Sequence, residues 1–96
     1  MPSFRVTMTI GALRPGTAPD SVLPAAARAA GELTSVEASD LAVVAGSARL
    51  TVRFTDDDES AALRVGRHVV EGTRAVAEPL SWQVTERVKS RWLLVR

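Results

Sequence analysis

Hydrophobic and polar residues alternate from the start of the chain: Phe4, Val6, Met8 and Ile10 are separated by Arg5, Thr7 and Thr9. A period of two marks a strand with one face buried and the other wet. Arg14-Pro15-Gly16-Thr17 breaks the pattern. The period then changes to 3.6. Val22, Leu23, Ala26, Ala27, Ala30 and Leu33 fall on one stripe of a helix, with Asp20 as its N-cap and Arg28–Glu32 as an outward i,i+4 pair. Two strands follow around Gly46-Ser47. A two-residue Gly-Ser turn sets Val44 against Arg49, Val43 against Leu50, Leu41 against Val52 and Asp40 against Arg53. That register gives Leu41, Val43, Leu50, Val52 and Phe54 a common face and makes Asp40–Arg53 a cross-strand charge pair on the other. Val36 and Ala38 join the apolar face through a bulge near Ser39.

Thr55-Asp56-Asp57-Asp58-Glu59 opens a second helix, with a capping box formed by Thr55 and Asp58 or by Asp56 and Glu59. Ala62, Leu63, Gly66, Val69, Val70, Thr73, Val76 and Ala77 make its buried stripe, Arg67–Glu71 and Arg74–Glu78 pair outside, and Pro79 ends it. Leu80, Trp82, Val84 and Val88 then alternate with Ser81, Gln83, Thr85 and Arg87. A turn at Lys89-Ser90 leads into a short last strand, Arg91 to Val95, setting Arg87 against Trp92 and Thr85 against Leu94. Trp82 is expected to anchor the core, and Arg87 to make a cation–π contact with Trp92.

The order is β-α-β-β-α-β with an extra C-terminal strand. It resembles the ferredoxin-like, or split βαβ, superfamily at the level of element order and periodicity. The resemblance implies an α+β two-layer sandwich: an antiparallel sheet with two helices on one face. Residues 1–96 are expected to form one domain. That fold hosts many unrelated functions, so it names none.

Composition narrows the chemistry. The chain has no Cys, Tyr or Asn, which removes thiolate nucleophiles, disulfides and cysteine metal sites. No secretory pattern opens it and no apolar run is long enough to span a bilayer, so a cytoplasmic protein is expected. Twelve basic and eleven acidic residues leave a net charge of +1, too little for a broad pull toward nucleic acid or an anionic membrane. His68, the only histidine, faces away from the apolar stripe and has no triad partners in the sequence. The acidic run at 56–59 lacks the alternating spacing of a calcium loop and reads as helix capping. The glycines match neither a dinucleotide nor a P-loop fingerprint. No cofactor, metal or catalytic residue is assigned.

Two surfaces remain. The uncovered sheet face carries Arg5, Thr7, Arg49, Thr51, Arg53 and Arg87, without the aromatics on which RNA-binding sheets of this kind stack bases. The last strand puts Trp92 and Leu94 at an apolar edge that invites another chain. The expected function is a non-catalytic interaction or assembly module that associates with itself or with another protein. A small-molecule binder or cofactor-independent enzyme acting as a dimer, and a weak nucleic-acid binder using the Arg/Thr face, are the alternatives.

Overall fold

A computed structural model describes residues 1–96. The elements are β1 (Ser3–Leu13), a 3-10 turn (Pro19–Ser21), α1 (Val22–Gly31), β2 (Ser35–Val44), β3 (Ser47–Thr55), α2 (Glu59–Thr73), β4 (Ala77–Val88) and β5 (Arg91–Leu94). The five strands form one antiparallel sheet in the order β2-β3-β1-β4-β5. The fold class is α+β, as the periodicities predict.

β1 and β3 build the core because their alternation is strict. Phe4, Val6, Met8 and Ile10 pair with Phe54, Val52, Leu50 and Ala48, and all but the half-buried Ala48 are buried. Phe4 and Phe54 stack with ring centroids 5.9 Å apart. Val22, Ala26 and Ala30 of α1 and Ala62, Val65, Val69 and Val70 of α2 close this face. The neighbouring residues Arg5, Thr7, Thr9, Thr51 and Arg53 therefore point to the opposite face, which no helix covers.

The β2–β3 hairpin departs from the expected register. The turn is Ala45-Gly46, both with positive φ (52° and 80°), and Val44 pairs with Ser47. Positive φ at both turn residues is the type I′ geometry of a two-residue hairpin. Alanine disfavours it, which is why the sequence pattern points one residue too far along. Leu41 consequently faces Leu50, Val43 faces Ala48 and Asp40 faces Thr51. The shift moves each partner by two, so the apolar residues keep their face. The expected Asp40–Arg53 pair is replaced: Ala38 lies opposite Arg53. The bulge falls at Glu37, between Val36 and Ala38, two residues before the expected place. It keeps Val36 against the core and puts Ala38 on the open face.

Both helices differ from expectation at their ends. Ser21, not Asp20, occupies the N-cap of α1, and Leu33 lies beyond the helix, exposed. α2 stops at Thr73, so Ala77 opens β4 and Pro79 sits inside that strand. The capping carboxylate of α2 is Asp58, whose Oδ1 accepts from the Ala61 N–H at 2.8 Å; neither anticipated capping box forms. Asp58→Ala is expected to cost about 1 kcal/mol, measurable by urea denaturation. The expected i,i+4 pairs are absent as well. Arg74 binds Glu71 at 3.1 Å instead, and Glu32 turns to His68 at 2.8 Å, tying α1 to α2.

Gly66 shows how closely α2 lies on the sheet. A Cβ there would stand 2.6 Å from Val84 Cγ2 and 3.0 Å from the Trp82 ring. Gly66→Ala gains about 1 kcal/mol of helix propensity but overpacks at about 1–3 kcal/mol. A net loss of stability is expected, read as a lower melting temperature. Trp82 covers this contact from the rim and stays 37% exposed, so it anchors the core only from one side.

Candidate interaction surface

The open face is a grid set by strand pairing. Ala38, Arg53, Arg5, Thr85 and Leu94 form one row across the sheet from β2 to β5. Asp40, Thr51, Thr7 and Gln83 form the next, then Ala42, Arg49, Thr9 and Ser81. Of the residues expected here, the structure brings Arg5, Thr7, Thr51 and Arg53 together at the centre. Arg49 and Arg87 stand toward opposite ends of the grid.

The Lys89-Ser90 turn forms as expected, with Lys89 at φ 61°, and β5 pairs with β4 inside the chain. Arg87 faces Trp92 and Thr85 faces Leu94. Trp92 does not stay at the edge. Its indole lies over the open face, with the Arg5 guanidinium 3.9 Å and that of Arg53 5.3 Å from the ring centroid. The anticipated Arg87 contact is not the one made; Arg87 Nε donates to the Lys89 carbonyl at 3.1 Å. The face therefore holds one aromatic after all, already engaged by two arginines. Position was legible: Trp92 shares a face with Arg87 in the predicted register. Reach was not, because a tryptophan can span a neighbouring strand.

Charge on this face is uneven. Arg5, Arg49, Arg53 and Arg87 are opposed by Asp40 and by Glu37, which the bulge brings onto it. Glu37 Oε1 accepts from Ser3 Oγ at 3.0 Å and lies 3.6 Å from Arg53 Nε. Two shallow depressions dent the face. One, of about 210 Å³, includes Thr7, Thr9, Arg49, Ser81 and Gln83. The other, of about 270 Å³, includes Arg5, Asp40, Thr51 and Arg53.

A surface the sequence reading did not single out is the outer edge of β2. This ten-residue strand ends the sheet, and every residue along it except the half-buried Val36 is exposed. After Asp40, its last four residues read Leu41-Ala42-Val43-Val44, without a charge or a proline. Leu41 and Val43 point to the helix side, beyond the reach of α1, and are 47% and 76% exposed. Beside Leu41 an apolar groove of about 230 Å³ runs between Ile10, Leu13, Pro19, Val22 and Ala48. Four consecutive apolar residues were the available signal; the predicted register placed Leu41 and Val43 among them on the core face.

No helix is long and apolar enough to cross a membrane. Neither a search of protein-family models nor one of curated proteins finds a match to this chain.

Proposed function

We propose that the chain is a non-catalytic assembly module that forms a homodimer through the outer edge of β2. The observation that carries this reading is the Leu41–Val44 segment: exposed, apolar, uncharged and hydrogen-bonded on one side only. Such an edge is a template for a further strand. Two copies related by a two-fold axis offer each other antiparallel β2 edges, the symmetry that closes most homodimers. Side chains of Leu41 and Val43 from both copies then cover one another where no helix does. The open face is a poorer self-interface. It carries a net charge of +2 per copy from the residues named above, and stacking it on itself would bury arginine against arginine.

The sheet order supports a ferredoxin-like topology. In β2-β3-β1-β4, strands of the first β-α-β half alternate with those of the second, as a split βαβ requires.

A second reading, a dimeric small-molecule binder, is favoured by the groove beside Leu41. Its walls are aliphatic and carry neither His68 nor the sheet arginines, so it suits an apolar occupant and not a catalytic one. Light scattering of the wild-type chain against Val43→Lys tests the dimer: two chains per particle for the first, one for the second.

A further inference from the structure

Arg5 and Arg53 are direct cross-strand partners on the open face. Like charges placed opposite one another in a sheet repel. Here both guanidiniums are also drawn to one indole, that of Trp92, which holds them side by side. The arrangement is under-neutralised. Arg5 makes no ion pair, and Arg53 makes one, with Glu37 at 3.6 Å, too long for a hydrogen bond. Arg53 Nε is buried and has no hydrogen-bond partner. Because Nε is closed to solvent, the terminal guanidinium nitrogens are the donors a ligand can reach.

We propose that Arg5 and Arg53 form a binding site for a tetrahedral oxyanion, a phosphate or phosphomonoester group, with the Thr51 hydroxyl as third donor. The three residues line the same depression of about 270 Å³, large enough for such a group. An anion bridging two guanidiniums removes their repulsion and accepts charge-assisted hydrogen bonds from both. Trp92 does not stack a base here. It is a positioning residue that fixes the two forks by cation–π contact. Asp40, on the same rim, opposes the anion and keeps affinity modest. The site borders β2 at Ala38, Ser39 and Asp40 but lies on the open face, opposite to the side chains of Leu41 and Val43.

The test is a titration with inorganic phosphate and, separately, glycerol phosphate, against chloride at equal ionic strength. Binding is read by ³¹P line broadening on the wild-type chain and by Trp92 fluorescence in a Trp82→Phe background. Saturable binding of roughly 1 mM affinity is expected. It should weaken roughly tenfold in Arg5→Gln or Arg53→Gln, and tighten severalfold in Asp40→Asn, while Arg49→Gln leaves it unchanged. Tighter binding of glycerol phosphate than of phosphate identifies an esterified ligand; equal binding identifies the free ion. An identical response to chloride, or equal weakening by Arg49→Gln and Arg5→Gln, overturns the site.

Discussion

Phe54→Ala is expected to destabilise the protein by about 3–5 kcal/mol, the cost of deleting a fully buried aromatic that leaves a cavity. Phe54 is 0% exposed and stacks on Phe4, its direct partner across the β1–β3 ladder. Neither ring has a surface to relax toward: α1 and α2 close one side and the sheet the other. Domains of this size are stable by only about 5–15 kcal/mol. A loss of this order lowers the melting temperature by roughly 15–30 °C, or leaves the chain unfolded at 37 °C. Calorimetry reads the effect directly. Leu93→Ala is the control: Leu93 is 44% exposed on β5, and its change should stay within about 0.5 kcal/mol. Similar losses at both positions would mean that the core does not centre on the Phe4–Phe54 pair.

The second large effect concerns assembly. Val43→Lys is expected to weaken self-association by at least about 100-fold, because a lysine at the centre of a paired edge brings two like charges together and blocks apolar cover. The same change should leave folding nearly untouched, since Val43 is 76% exposed within one chain. Leu94→Lys tests the other edge. Leu94 is half exposed on the four-residue β5, so a β2 dimer should survive its substitution. Dissociation by Leu94→Lys with retention by Val43→Lys would move the interface to the C-terminal strand. Truncating that strand is not a clean alternative, because Val95 is 5% exposed within the core cluster and its N–H bonds to the Val84 carbonyl.

Much of this fold was legible because patterning is strong where burial is one-sided. The alternation from Phe4 to Ile10 identified β1 and its core face, and the shift to a 3.6 period located both helices. The Lys89-Ser90 turn forms although neither residue favours positive φ. What escaped the pattern depended on tertiary context. Ala45 accepts a left-handed turn that its side chain disfavours, which moved the hairpin register. Pro79 reads as a helix stop but sits in β4, where the ladder with β1 is irregular: Thr9 pairs with Ser81 and Ile10 with Pro79, leaving Leu80 between them. Leu80 lies 58% exposed against Gly11, where a Cβ would approach it to 3.0 Å.

The candidate surfaces show the same division. Strand parity correctly gathered Arg5, Thr7, Thr51 and Arg53 on the open face. Parity alone gives no side-chain reach, so the two arginines gripping Trp92 emerged only in three dimensions. Exposure of Leu41 and Val43 was hidden for a similar reason. Their apolar character implies a core, but α1 is only ten residues long and does not extend over this end of β2.

Sedimentation equilibrium of the wild-type chain and of Val43→Lys, at matched concentrations near 100 µM in order of magnitude, tests the central claim most directly. Self-association through β2 predicts a wild-type mass of twice the 10.2 kDa chain and a single-chain mass for the variant. A wild-type protein that sediments as one chain would contradict it, as would a Val43→Lys variant that remains dimeric.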